Sequence, residues 1–352
     1  MCKQINKSFK IGSKNIGDGY PCFLVAEIGQ AHEGSLGVAH SYIDLASDIG
    51  LDAIKFQMHL ANEESTLDEE FRVKFSYQDK NRFEYWKRME FSMEGWTQLR
   101  EHASKKNILF SATPFSIKAV ELLTKLKIDF WKIGSGDISF NQMIDKIIKK
   151  NEPILFSTGL GSEKEIDNLT IKLRNNNKKF AILHCTSKYP ASLKQTRLNM
   201  LDFYKKNYNC PSGLSDHSGN VNSSISSIAR GANILEAHLT FEKKMFGPDS
   251  KASLNPKDFQ LLKKYRDDYY EIKINENQIF FDDKEKRRNK IIFGRSLSLK
   301  KNLQKGHVLK KTDILFKKPG NGIKPSELEK VINKKLCKNV SSKKLLKWND
   351  FK

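Results

Sequence analysis

The feature that most restricts how this 352-residue chain can fold is a repeating alternation along its length. Short apolar runs recur at residues 22–28, 53–57, 108–112, 130–133, 154–157, 180–185, 213–217 and 234–241. They contain little strict alternation, as expected of strands buried on both faces. Between them lie stretches with apolar residues at three- and four-residue spacing, at 38–49, 94–105, 117–126, 142–149, 163–173, 193–204, 221–230 and 256–270. Ser92, Ser162 and Asn255 stand where helix N-caps belong, the last directly before Pro256. Eight strands alternating with eight helices over about 250 residues predict an α/β protein built on a (β/α)8 TIM barrel. An open doubly wound sheet is the alternative, and the lack of a GxGxxG after the first run counts against it.

Two stretches fall outside this rhythm. Residues 60–91 are too long for a plain connection and mix charge with aromatics, which predicts a partly helical excursion over one end of the barrel. From Glu271 the chain turns polar. The expected organisation is a barrel over 1–275, a linker over 276–290 with a short strand at 279–281, and a small C-terminal domain over 291–352. That domain carries a PGNG turn at 319–322 and an expected helix at 325–333. About 60 residues are marginal for independent stability, so it is expected to be docked.

Charge and cysteine content narrow the function classes. Residues 281–352 hold 22 Lys+Arg against 7 Asp+Glu, most of the net charge of +21. A basic surface of this kind suits nucleic acid, an anionic membrane, an anionic substrate, or simple solvation. No RRM, KH or zinc-finger pattern is present, so nucleic acid is not an expected partner. Five scattered cysteines without a CxxC argue against a disulfide scaffold or a cysteine-rich zinc site. No 18-residue apolar stretch exists, so no membrane span is expected, and a reduced cytoplasmic protein is the default.

In a TIM barrel the carboxyl ends of the strands carry function. Here they present Glu27, then Lys55 and Gln57, Ser111 and Thr113, Lys132 and Ser135, Ser157 and Thr158, residues 186–189, Asp216 and His217, and Glu236 and His238. Burying so many polar groups without partners is costly, so they are expected to meet one another. His217 and His238 close consecutive strands and suit a divalent first-row metal in an open coordination sphere. Asp216 or Glu236 could ligate that metal or fix an imidazole tautomer. The alternative is two histidines satisfied within the core. Lys55, Lys132 and Lys188, with Ser111, Ser135, Ser157 and the glycine turns 134–136 and 159–161, form a candidate anion pocket. Snorkelling surface lysines or a Schiff base on Lys132 are the other readings. His307, Lys317 and Lys318 near the PGNG turn reach either an anionic site or solvent.

The order of short motifs adds an independent line. AEIGQAHEG (26–34), KFQ (55–57), SATPF (111–115), KIGSGD (132–137), FSTG (156–159), LHCTSKYP (183–190), GLSDHSG (213–219), EAHLTF (236–241) and GPD (247–249) run in one series. That series resembles the bacterial sialic acid synthase family, which includes legionaminate, pseudaminate and spore-coat polysaccharide synthases. The last segment resembles the family's antifreeze-like (SAF) domain, with KKPGNGI at 317–323. The resemblance implies condensation of phosphoenolpyruvate with N-acetylmannosamine or a related N-acylated aminosugar, giving a nine-carbon 2-keto acid and phosphate. Legionaminate or pseudaminate synthesis from a diacetamido trideoxyhexose is one alternative, and a non-catalytic polysaccharide-biosynthesis binding protein is another.

By the same resemblance His217 and His238 hold Mn2+, or else Mg2+ or Co2+, and are catalytic with Glu27 and Glu236. Lys55, Lys132, Ser135, Ser157 and Ser187 match positions around the phosphoenolpyruvate phosphate and carboxylate. Gln57, Thr113, Tyr189 and Asp249 match sugar-side or phosphate-side positions, and Lys318 approaches the acylamino end of the sugar. A domain-swapped homodimer is implied, one subunit's small domain covering its partner's barrel mouth. Three positions depart from the usual pattern. Ala31 stands where Asn is frequent, Lys318 where Arg is common, with loss of the planar donor fork, and Ser187 where some members have Asn.

Overall fold

Closing parallel strands into a ring explains why the apolar runs lack a polar face. In the computed structural model, which describes residues 7–274 and 284–352, the chain divides into two compact units, 1–275 and 276–352. The first begins with a hairpin of β1 (Ser8–Ile11) and β2 (Lys14–Gly17). The ring follows: β3 (Phe23–Gly29), β4 (Ala53–Met58), β5 (Leu109–Pro114), β6 (Trp131–Ile133), β7 (Ile154–Ser157), β8 (Phe180–Cys185), β9 (Ser212–Asp216) and β10 (Ile234–His238). The strands pair in parallel in the order β5-β4-β3-β10-β9-β8-β7-β6. The seam between β5 and β6 is closed by Asp129 N–H donating to the Phe110 carbonyl at 2.9 Å and Ser111 Oγ donating to the Phe130 carbonyl at 2.6 Å. This is the expected (β/α)8 barrel with a separate small β domain.

Helices α1 (Leu36–Ile49), α2 (Ala61–Glu64), α3 (Arg82–Met89), α4 (Met93–Lys105), α5 (Ile117–Leu126), α6 (Asn141–Ile148), α7 (Glu163–Asn175), α8 (Asn199–Tyr208), α9 (Val221–Ala229) and α10 (Pro256–Ile274) belong to this unit. The capping signals act as expected. Ser92 Oγ accepts from Gly95 N–H at 3.2 Å, Ser162 and Glu165 form a reciprocal capping box, and Asn255 Oδ1 accepts from Asp258 N–H at 2.9 Å. The 60–91 excursion is partly helical through α2 and α3.

Side chains alternate along each strand, so every second residue points into the ring. Phe23, Val25, Ala53, Phe130, Leu155, Ala181, Leu183 and Ile234 fill its lower interior, together with Phe9, Ile11 and Ile16 from the hairpin. The positions above them are charged or polar. The register sets their height: His238 pairs with Glu27, Glu27 with Lys55, and Lys55 with Ser111.

Several boundaries differ from the sequence reading. β10 ends at His238 because the next residue leaves the ring to bridge Leu254. The helix expected at 193–204 is a 3-10 turn (Leu193–Gln195) followed by α8, and Arg197 at φ +43° interrupts the two. Part of the expected linker is helix α11 (Lys284–Phe293), whose Lys, Glu and Arg residues read as linker polarity but are good helix formers. The strand expected at 279–281 lies outside the described residues. The hairpin went unread because each of its strands has only four residues.

The second unit pairs β11 (Ser296–Leu299) with β12 (Ile314–Lys317) in antiparallel fashion over Leu297, Leu299, Leu309, Val331, Leu336 and Leu346. Its expected helix at 325–333 is a 3-10 segment, Pro325–Lys330. Ile11→Ala in the hairpin should cost about 2–5 kcal/mol, read as a lower urea midpoint with an unchanged slope. A negligible loss would mean that the hairpin does not plug the barrel.

Candidate active site

The layer above the apolar interior brings four charges together. Lys55 ion-pairs with Glu27, donates to Thr113 Oγ1 at 2.9 Å and lies 3.7 Å from Glu236 Oε2. Lys132 donates to Glu236 Oε1 at 3.0 Å and to Ser157 Oγ at 2.8 Å. Ser215 Oγ donates to the same Glu236 oxygen at 2.8 Å, and Gln57 Nε2 donates to Glu27 Oε1 at 2.6 Å. Glu27, Lys55, Lys132 and Glu236 are only 2–4% exposed. Burial would raise the Glu236 carboxyl, but the Lys132 and Lys55 charges and the bonds from Lys132 and Ser215 outweigh it and hold it at about 2. Burial pulls the Lys55 ammonium down, while Glu236 and Glu27 push it up further. With both carboxylates paired to ammoniums, the formal charges of the quartet cancel.

The two histidines stand beside this quartet. His217 Nδ1 lies 3.0 Å from the Thr186 carbonyl, which only accepts, so the ring proton sits on Nδ1. Its Nε2 lone pair therefore faces Tyr189 OH at 3.2 Å and Ser215 Oγ at 3.3 Å. Burial, and then the neighbouring His238, push His217 down to about 3, so it is neutral. The two imidazole centroids are 5.6 Å apart. Tyr189 stacks on His217 at 4.1 Å and meets His238 edge-on at 5.8 Å. Gly29, at φ +54° after a register shift in β3, would bring any Cβ within 3.4 Å of the His238 ring. Among the described residues no group of three or more His, Cys, Asp or Glu side chains could hold a metal ion. His217 and His238 thus offer two imidazoles, which fit a divalent ion whose other ligands are water or substrate.

Hydroxyls and a cavity complete the mouth. Ser135 Oγ and Ser187 Oγ are 3.2 Å apart. Gly159 allows this approach, since a Cβ there would fall 2.4 Å from Ser187 Oγ. Above lies a cavity of about 350 Å³ lined by Gln30, Gln57, His59, Tyr189, His238 and Asp249. Phe71, Phe75, Tyr85, Trp86 and Phe115 form its aromatic wall. The excursion reaches this mouth as expected: Arg72 lies 2.9 Å from Asp249 Oδ1 and its guanidinium sits 4.1 Å above the Tyr189 ring.

Other residues fall elsewhere. Lys188 is exposed and joins none of these bonds, because its neighbour Tyr189 takes the inward position. Asp216 is turned away to accept from Ser224 Oγ at 2.7 Å and Ser218 N–H at 2.9 Å. Ser111 closes the barrel seam instead of facing an anion, and Thr158 accepts from Tyr204 OH at 3.0 Å. His307, Lys317 and Lys318 belong to the second unit. There His307 meets Asp313 at 2.9 Å, Lys317 bonds the Ser342 carbonyl at 2.6 Å, and the Lys318 ammonium lies 5.4 Å from the Phe293 ring centre. In the turn at Ala31, where the resemblance leads one to expect Asn, one backbone and one side-chain bond are present: Ala31 N–H donates to the Ile28 carbonyl and His32 Nδ1 accepts from Gly34 N–H. Ser215, His59, Glu64, Gln30, Arg72 and Asp137 were missed. Ser215 and His59 share inward parity with His217 and Gln57, a signal that was legible. Arg72 and Glu64 lie in the excursion, where no periodicity points inward.

With this geometry in place, comparison with known proteins is informative. The NeuB family model matches residues 42–274 and the SAF domain model matches 294–352. The chain belongs to the NeuB family. This NeuB-family chain is 32% identical over 336 residues to an N,N'-diacetyllegionaminic acid synthase of Campylobacter jejuni, covering 92% of this chain and 98% of that one. It is 34% identical to the human N-acetylneuraminate-9-phosphate synthase over 245 residues, 68% of each chain. Among solved structures, an N-acetylneuraminic acid synthetase from Leptospira borgpetersenii in complex with citrate superposes with a TM-score of 0.70. It is 27% identical, over 80% of this chain and 94% of that one.

The quartet predicts an asymmetric response to mutation. Lys132→Met strips Glu236 of its nearest cation and should cost about 3–5 kcal/mol in urea unfolding. Adding Glu236→Leu should restore most of that loss. Equal losses in both variants would place the worth of Lys132 in packing and not in charge.

Proposed function

We propose that this NeuB-family protein condenses phosphoenolpyruvate with the open-chain form of an N-acylated aminosugar. C3 of the enol attacks the aldehyde carbon, water adds at C2, and phosphate leaves, giving a nine-carbon 2-keto acid. The observation that carries this reading is the buried Lys55–Glu27–Glu236–Lys132 quartet beneath a 350 Å³ cavity. Lys55 and Lys132, with Thr113, Ser157, Ser135 and Ser187, supply point charges and hydroxyl donors for the phosphate and carboxylate of one small substrate. Glu27, fixed by Gln57 on one oxygen and Lys55 on the other, moves a proton between the reacting oxygen and water. Tyr189 and Asp249 face the sugar. Lys318, in the second unit, would meet the acylamino end across the domain-swapped homodimer that the family resemblance implies.

His217 and His238 would hold a divalent ion, Mn2+ in the first instance with Mg2+ or Co2+ as alternatives. Such an ion supplies Lewis acidity at a carbonyl oxygen. Charge balance supports it, because the quartet's formal charges cancel, His217 is neutral, and the substrate is an anion.

For the sugar we favour a 2,4-diacetamido-2,4,6-trideoxyhexose. Relatives named N,N'-diacetyllegionaminic acid synthase match at 30–32% identity over more than 90% of the chain, whereas N-acetylneuraminate-9-phosphate synthases match either over 68% of it or at 27% identity. The aromatic wall also suits the methyl groups of such a sugar. N-Acetylmannosamine is the second reading, favoured by the polar Arg72–Asp249 rim and the Leptospira structure. No helix among the described residues is long and apolar enough to cross a membrane.

Phosphoenolpyruvate paired with each diacetamido trideoxyhexose and with N-acetylmannosamine should release phosphate, most efficiently with a diacetamido sugar, and yield a product of matching mass. No release with any pair, although phosphoenolpyruvate binds, would favour a non-catalytic binding protein. Glu27→Gln should lower kcat by about 10²–10⁴-fold with the melting temperature kept. A chelator should abolish turnover and Mn2+ restore it, whereas indifference to both would remove the metal role.

A further inference from the structure

Two residues at the cavity wall, His59 and Glu64, have no part in the chemistry above. His59 is buried between two aromatic rings, with centroids 3.8 Å from Trp86 and 4.4 Å from Phe115 and planes within 11° of parallel. Its Nδ1 lies 2.7 Å from Glu64 Oε1, and its Nε2 lies 3.0 Å from Gln57 Oε1. Gln57 in turn donates from Nε2 to Glu27 Oε1. Four side chains therefore form one line, Glu64–His59–Gln57–Glu27.

Donor accounting gives that line a direction. The Gln57 amino group is committed to an ionised carboxylate, so only its oxygen faces His59 and Gln30. Gln30 Nε2 and His59 Nε2 both converge on that oxygen and lie 2.9 Å from each other. His59 Nε2 donates to that oxygen in the tautomer that carries its proton there. The contact between Nδ1 and Glu64 holds one further proton, whichever atom bears it. Turning the Gln57 amide over would set its amino group against the donors of His59 and Gln30 and its oxygen against Glu27. Both contacts would become repulsive. Stability alone does not explain the arrangement. Glu64 Oε2 is buried with no hydrogen-bond partner among the described residues, and burial followed by the Glu64 charge raises nearby Asp137 to about 6. An orphaned buried carboxylate oxygen is costly.

We infer that His59 and Glu64 form a positioning pair that fixes the Gln57 amide and, through it, the orientation of Glu27. This rests on Glu27 acting in the reaction proposed above. His59→Phe keeps a flat ring between Trp86 and Phe115 and deletes both nitrogens. It should lower kcat by roughly 10- to 100-fold, the scale of a slightly misplaced reacting group, with KM for phosphoenolpyruvate within about twofold. His59→Gln, which returns an amide N–H near the Nε2 position, should recover part of the loss. On a Gln57→Leu background His59→Phe should cost little more, because the route through Gln57 is already gone. An unchanged kcat in His59→Phe, or the same fractional loss on both backgrounds, would overturn the pair.

A second readout needs no turnover. With selective 15N-glutamine labelling, the Gln57 side-chain amide, identified by its absence in Gln57→Leu, should exchange slowly in the wild type and quickly in His59→Phe. If the wild type releases no phosphate, the proposed reaction fails and this spectrum still decides the pair. An unchanged Gln57 signal would refute it.

Discussion

Two glutamates and two lysines can be buried at the top of a barrel only if each faces an opposite charge at hydrogen-bond distance. Glu236 meets both Lys132 and Lys55, and Glu27 meets Lys55. Taking four ions out of water costs several kcal/mol apiece, and an apolar layer of similar volume would hold the barrel at least as well. The layer just below, with Val25, Ala53, Leu155 and Leu183, shows that this ring builds such packing where nothing else is required. On the reaction proposed above, the quartet is retained for the anion it binds. A dry site with directed ammoniums and hydroxyls holds an anion far more strongly than the same groups would in water.

The scaffold supplies that order in height. Inward positions of a parallel strand recur every second residue, so an apolar residue low in the ring is followed two residues later by a functional one. Val25 precedes Glu27, Ala53 precedes Lys55, Phe130 precedes Lys132, and Leu155 precedes Ser157. The strands hold the lysines, the hydroxyls and the imidazoles on ladder-bonded backbone. The excursion supplies Arg72 and most of the aromatic wall. On the proposed reading, chemistry and acceptor specificity sit on elements that can vary separately.

Much of this was legible in the residues. Eight apolar runs with helical intervals defined the barrel, and the polar residues at their ends defined its mouth. What escaped had physical causes. Lys188 and Asp216 lie beside true mouth residues but on the other parity, so proximity in sequence misled where alternation decides. Ser111 was spent on closing the seam, a demand that no single strand announces. The break before α8 lies in the positive φ of Arg197, which composition does not signal. The line through Glu64, His59, Gln57 and Glu27 depends on a short helix in a long connection, and only tertiary structure brings it to the strand ends.

The most direct test of the account is titration calorimetry of phosphoenolpyruvate, with and without a divalent ion. It would compare the wild type with a Lys132→Met/Glu236→Leu variant that unfolds at a similar urea concentration. The account predicts one phosphoenolpyruvate bound per wild-type chain and much weaker binding by the variant, which keeps only the Lys55–Glu27 pair. Equal affinity in the two proteins would show that the buried quartet does not form the anion site.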